Sequence, residues 1–240
     1  MIKNKFIFVI FCFVLFNSCE EELKLSFVEV NITTENNYSV EINIPEAIGD
    51  MTIAEAINSE INQTVMSALH IGDSQNITSK SVEESIDTFN KEYKNFMNDF
   101  PDSAQVWDAE IDGEVIYQTD EIISVSITSY VNTGGAHGIF HISFLNFNAE
   151  TGKRIPNGNL FNDIAAFNTL AKTYFDTSIK DKSTLFEKDN FTLPVNIGYT
   201  EEGLILAYNV YEIAPYSTGL IDFTIPYEKA DDYLVFKGSR

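Results

Sequence analysis

The chain has 240 residues, 44% of them apolar, enough to bury a substantial core. Its 36 acidic against 15 basic side chains give a formal charge of −21 at pH 7. That balance excludes nucleic acid as a partner by phosphate repulsion, and it excludes a polybasic attachment to anionic lipid.

Lys3 and Lys5 precede an apolar run from Phe6 to Phe16 that ends in Asn17, Ser18 and Cys19. The pattern predicts a secretion signal over residues 1–18. Its apolar run is about half of the ~20 residues a membrane-spanning helix requires. A small residue followed by cysteine at the end of such a run resembles the lipobox of bacterial lipoproteins. The resemblance implies that the Cys19 thiol receives diacylglycerol and becomes the first mature residue, anchored through about 0.8 kcal/mol per buried methylene. Glu20, Glu21 and Glu22 then open an acidic tether, residues 19–26. It reads either as a solvated spacer or, by resemblance, as the acidic export signal of outer-surface lipoproteins in Bacteroidetes-like bacteria. Both readings place the globular part in the cell envelope, and the outer membrane is the membrane expected to hold it.

Cys12 leaves with the leader and Cys19 carries lipid, so no thiol is expected in the folded part. A disulfide, a cysteine zinc site and a cysteine nucleophile are all excluded by that expectation. Loss of Lys3 and Lys5 makes the mature charge more negative still, which serves solubility or long-range attraction to a basic protein.

Past the tether, "SFVEVNI" and "YSVEINI" alternate with period two, Val28, Val30 and Ile32 on one face and Tyr38, Val40, Ile42 and Ile44 on another. With the turn residues "TTENN" between them they predict an antiparallel hairpin. Helical spacing follows in "TIAEAINSEINQTVMSAL", where Ile53, Ala56, Ile57, Ile61, Val65, Ala68 and Leu69 form a stripe and Thr52 with Glu55 reads as a capping box. A second helix begins at Ser81 and Glu84, buries Ile86, Phe89, Tyr93, Phe96, Met97 and Phe100, and is stopped by Pro101. His70, beside Gly72 at the end of the first helix, suits the macrodipole there and is given no catalytic role.

Strands resume from Trp107 through "AEIDGEVIYQTD", "EIISVSITSYV" and the segment after "TGGAHG". In that last segment Phe140, Ile142 and Phe144 face one way and His141, Leu145 and Phe147 the other. His137 and His141, placed on a strand, stand about 13 Å apart at ~3.3 Å per residue, too far to share a metal ion. A third helix is predicted from about Leu160 to Ile179, with Phe161, Ile164, Ala165, Asn168, Ala171, Phe175 and Ile179 on one side. The remaining strands lie in "VNIGYTEEGLILAYNVYEIAPYSTGLIDFTIPY", ended by Pro226 before a short helical segment. The order ββαα-ββ(β)-α-βββ predicts an α+β protein: a mainly antiparallel sheet with helices packed on one face. Residues 27–120 and 121–240 form its two regions.

"TGGAHG" (Thr133 to Gly138), "NFNAETGKRI", "NLF", "TEEGL" and "YEIAPYSTG" (Tyr211 to Gly219) occur in an order that resembles the extracellular domain of unknown function in the lysozyme-sensing anti-sigma factor RsiV. The same domain stands ahead of the catalytic module in PdaC-type peptidoglycan deacetylases. Upstream, "VEINIPEA" followed by "AINSEIN" resembles the companion domain of both. The resemblance spans roughly Phe27 to Tyr233. It implies an envelope-facing α+β domain, and through RsiV it implies lysozyme binding. No transmembrane helix or sigma-binding segment is read before Phe27, so direct control of a sigma factor is not expected, and no deacetylase module is read after the last motif.

A Gly-x-Ser-x-Gly elbow is absent, and "TGGAHG" lacks the Lys and Ser or Thr of a phosphate-binding loop. No metal site and no cofactor are expected. Glu212, read as lying on a strand between Tyr211 and Ile213, is either a carboxylate that contacts sugar or acts as an acid, or one that receives hydrogen bonds from a neighbouring loop. Gly134, Gly135 and Gly138 either form a turn at positive φ or expose backbone N–H groups that, with His137, make a polar pocket against Tyr211, Glu212 and Tyr216. The leading expectation is a non-enzymatic binding protein for a basic, lysozyme-like protein or a wall glycan. A wall-modifying hydrolase using Glu212 with a second carboxylate and an envelope scaffold are the alternatives.

Overall fold

The structure, a computed structural model, describes residues 25–72 and 76–238. The leader, Cys19 and most of the acidic tether lie outside the described residues. The first strand begins at Leu25, one residue earlier than the alternating stretch that starts at Ser26. Strands β1 (Leu25–Asn31) and β2 (Val40–Gly49) pair antiparallel; helices α1 (Met51–Leu69) and α2 (Val82–Asp99) follow, then β3 (Asp108–Gln118), β4 (Ile122–Asn132) and β5 (Ile139–Asn148). These five strands form one sheet in sequence order, antiparallel except where the α1–α2 crossover makes β2 and β3 parallel. After α3 (Ile164–Ser178), strands β6 (Asn196–Thr200), β7 (Gly203–Tyr208) and β8 (Ile221–Ile225) make a second, antiparallel sheet, and α4 (Tyr227–Ala230) follows Pro226. Among the described residues the protein is therefore mixed α+β, with eight strands in two sheets rather than one.

Each sheet has its own core. On the helix side of the first, Ile57, Ile61 and Val65 of α1 and Ile86 and Phe89 of α2 bury against Ile42, Ile44, Ile111, Val125, Ile127, Leu145 and Phe147. The second core gathers Phe167, Ala171 and Phe175 of α3 with Ile197, Tyr199, Leu204, Leu206 and Tyr208. A bulge between Val115 and Tyr117 re-aims the strand, so that Tyr117 turns to the second core while Val115 packs on the first.

Several local expectations change. The α1 cap is Asp50, whose carboxylate accepts from Thr52 N and Ile53 N; Thr52 is already inside the helix. Ser81 does cap α2, while the Glu84 carboxylate reaches the Lys80 N–H, one residue before the cap. Phe100 is exposed because α2 ends at Asp99. The third helix starts at Ile164, which is itself exposed; a 3-10 turn ends at Leu160, and Phe161, expected in the helix, bridges to Leu234 instead.

The two sheets meet across β5 through side-chain amides. Asn146 Nδ2 donates to Ile197 O at 2.7 Å; its Oδ1 accepts from Ser124 Oγ at 2.8 Å, and that hydroxyl accepts from Tyr199 N at 3.1 Å. Along the outer rim of β5, Asn196 Oδ1 accepts from Phe144 N, Arg154 Nη2 donates to Phe144 O, and Ile155 N donates to Asn146 O. Asn209 brackets Ile142, accepting from its N–H at 2.8 Å and donating to its C=O at 2.9 Å.

Candidate binding site

The "TGGAHG" loop connects β4 to β5, and "YEIAPYSTG" follows β7. Asn209 carries the second segment onto β5, so the two motifs meet beside Gly138. Gly138 is buried, and any Cβ there would run into the Tyr130 ring, which fixes the loop's return to the sheet. Gly134 adopts φ 80°, and its N–H donates to Asn132 Oδ1 at 3.0 Å. That amide is consumed within the loop, so of the two readings, turn or cradle, Gly134 supplies the turn. Gly135 is exposed, and a Cβ added to it would find only His137 O, at 3.8 Å.

His137 lies in this loop rather than on a strand. Its ring stacks on Tyr216 with centroids 3.6 Å apart and planes 16° off parallel, and its Nε2 is 3.3 Å from Tyr211 Oη. Nδ1 is 3.0 Å from Gly138 O, which also accepts from Tyr216 Oη at 2.9 Å. The consistent proton assignment puts hydrogen on Nδ1, leaving Nε2 to accept from the Tyr211 hydroxyl. Three rings are thus held by one carbonyl and one imidazole, with Tyr211 52% exposed.

Tyr211 carries the strain of this arrangement. At φ 67° it is the one non-glycine residue with positive φ among the described residues. A bulky side chain rarely adopts that conformation, and such strain concentrates at functional sites. The conformation arises because the chain leaves β7 at Tyr208 and folds into a turn in which Glu212 N donates to Asn209 O at 3.0 Å. Tyr211 and Glu212 therefore sit in this turn and not on a strand.

Glu212 closes the same turn. One carboxylate oxygen accepts from Asn209 N at 2.8 Å and the other from Val195 N at 3.3 Å. It lines a neighbouring cavity of about 400 Å³ with Phe175, Leu185, Phe186, Glu187 and Tyr208. Tyr208 Oη donates to Thr192 O at 2.6 Å, and burial pushes its hydroxyl pKa well up.

Sequence reading missed Asn209, which orders the site, and His141, which joins it. Asn209 Nδ2 lies 3.1 Å from His141 Nε2, so the neutral imidazole accepts there. The His141 ring is open to solvent on one side, but burial of its inner edge lowers its pKa, partly offset by the Glu212 carboxylate. A histidine depressed in the folded state contributes stability present in full above its unfolded value of 6.5 and lost as pH falls through the folded one. The denaturation midpoint is expected to fall between about pH 7.5 and about pH 5.5, and His141→Gln to flatten that change; equal slopes would remove His141 as its source. Among the described residues, no three His, Cys, Asp or Glu side chains gather to hold a metal ion.

A helix-backed five-stranded sheet joined by buried amides to a three-stranded one, with two loops meeting in an aromatic cluster, defines an α+β protein built on two sheets. Residues 32–140 match the family model described as "Deacetylase PdaC", and residues 157–228 match the one described as "Protein of unknown function (DUF3298)". The fold is shared with the crystal structure of a DUF3298 family member from Bacteroides fragilis NCTC 9343, at TM-score 0.68 and 20% identity over 90% of this chain and 94% of that one. It is shared too with a DUF3298 family protein from Pseudomonas aeruginosa PAO1, at TM-score 0.62 and 17% identity over 91% of this chain and 99% of that one. No curated protein matches this chain. Each family match covers less than half of the chain, and the two solved structures show a shared fold.

Proposed function

We propose that the protein is a lipid-anchored component of the cell envelope, held at the outer membrane through Cys19, whose folded part binds a basic, lysozyme-like protein or a wall glycan. The observation that carries the reading is the His137–Tyr211–Tyr216 cluster. It is exposed, strained at Tyr211, built from both signature motifs, and positioned by a hydrogen-bonded frame. Exposed aromatics with polar edges favour contact with a partner or a sugar face. The charge of −21 favours a basic protein among the candidates. The likeness to the extracellular domain of RsiV supports the same partner class. Among the described residues no helix is long and apolar enough to cross a membrane, and the anchor in this reading is the acyl chain.

The test is capture of the purified folded part by immobilised lysozyme and by insoluble peptidoglycan, at low salt and at about 0.15 M. Salt-sensitive capture, weakened by Tyr211→Ala, is expected; retention by neither matrix overturns the binding reading. Mass spectrometry of the mature amino terminus tests the anchor, which fails if Cys19 carries no acyl group. The hydrolase reading keeps one supporting observation, the shared cavity of Glu187 and Glu212, although Glu212 already accepts from two backbone amides. New muropeptides after incubation with peptidoglycan would establish it in place of simple binding.

A further inference from the structure

We propose that the uncovered face of the five-stranded sheet is the docking surface for a cationic protein partner, extending from the aromatic cluster across β5, β4, β3 and β2. The inference rests on the basic-partner reading above and assigns it a surface. Ile42, Ile111, Ile127 and Leu145 point into the helix-backed core, so their alternate neighbours point to the opposite face. The second sheet covers that face only at one end, over Ser124, Phe144 and Asn146.

At the other end, register places Glu41 opposite Glu110, Glu110 opposite Tyr130, and Tyr130 opposite Phe140, in one row across four strands. Tyr130 and Phe140 are 36% and 38% exposed, and both carboxylates are exposed. The next row places Asn43 opposite Asp112 and Asp112 opposite Thr128, with the Asp112 side chain exposed. The row ends at Phe140, two residues from Gly138, whose carbonyl anchors Tyr216. Docking face and ring cluster are therefore continuous.

Three observations say what covers this face. None of the five strands contains a lysine or an arginine, and the ion pairs among the described residues involve Glu60, Asp176 and Glu228 instead. Like charges directly opposite one another, as Glu41 and Glu110 are, destabilise a sheet unless an external cation relieves them. At the head of the row a cleft of about 520 Å³ is lined by Tyr38, Glu41, Val106, Trp107, Asp108 and Glu110. Lys94 already places Nζ 5.5 Å from the Tyr38 ring centroid at its rim, an example of the contact an incoming lysine would make. Trp107, 7% exposed, is part of this wall, and its Nε1–H is the buried side-chain polar atom left without a partner among the described residues. Carboxylates interleaved with tyrosine and phenylalanine fit a surface that presents lysine and arginine.

The experiment is calorimetric titration of the folded protein with lysozyme at low salt. The double variant Glu110→Gln/Asp112→Asn is compared with Glu201→Gln/Glu202→Gln, which removes the same charge from the exposed β6–β7 turn. All four side chains are exposed, so both proteins are expected to fold, as circular dichroism checks. The face variant is expected to lose about tenfold or more in affinity, and the turn variant under about twofold. Phe140→Ser is expected to weaken binding as well. Equal losses in the two double variants would overturn the docking face while leaving the basic-partner reading intact. No binding by the unaltered protein would overturn that reading and this surface with it.

Discussion

Asn146→Leu is expected to destabilise the protein by about 3 kcal/mol, which for a chain of this size lowers the thermal midpoint by roughly 6–12 °C. Leucine keeps asparagine's branched outline with more bulk, but it strips partners from two buried groups and loosens a third, none with water to turn to. Ile197 O loses its donor, Ser124 Oγ loses its acceptor, and Tyr199 N is left on a hydroxyl free to rotate. Asn146 and Ser124 are 1% and 0% exposed, so the full desolvation cost applies. Ser124→Ala is expected to add little in the Asn146→Leu background, because both changes break one relay. Calorimetry of the two single variants and the double variant measures the coupling. A midpoint change under about 2 °C for Asn146→Leu would show that the sheets are held by apolar packing alone.

The second large effect is expected at Gly152, in the turn after β5. Its N–H donates to Asn148 O at 2.8 Å and its φ is 67°. A Cβ there would collide with Ile53 O in the first turn of α1 and come within 3.1 Å of Ala56 Cβ. Gly152→Ala combines the left-handed penalty, about 1–2 kcal/mol, with displacement of the turn from the helix, together about 3 kcal/mol. Gly158, where an added Cβ meets nothing within 4 Å, provides the comparison. Gly158→Ala is expected to stay within about 0.5 kcal/mol of the unaltered protein in denaturant titration. Equal effects at the two glycines would remove the steric contact as the cause.

The element order was legible because it rests on local periodicity. Ile57, Ile61 and Val65 at helical spacing and Val125, Ile127 and Leu145 at strand spacing face the same core. The split into two sheets was not legible, since it depends on which distant strands pair, and period two looks alike in β5 and β7. The α1 cap was misread because Thr52 and Glu55 satisfy the capping pattern as well as Asp50 does, and only the chain direction decides. At the site, His137, Tyr211 and Tyr216 were visible as residues of two motifs, and the structure places their rings together. The turn at Tyr211 left no trace, because a tyrosine at positive φ offers none of the signals that glycine or asparagine would. Asn209 and Asn146 had one faint signal, a primary amide inside an otherwise apolar strand pattern.

The amides that bracket β5 have a further effect. A sheet margin with unclaimed N–H and C=O groups is a template onto which a sister copy can zip, a hazard for proteins crowded side by side. Here Ile142 and Phe144 spend those groups on Asn209, Asn196 and Arg154 of their own chain, and a neighbour finds nothing to grip along that stretch. Exchanging Asn209 for a residue without a carboxamide would reopen the margin and convert a self-contained molecule into one prone to polymerise.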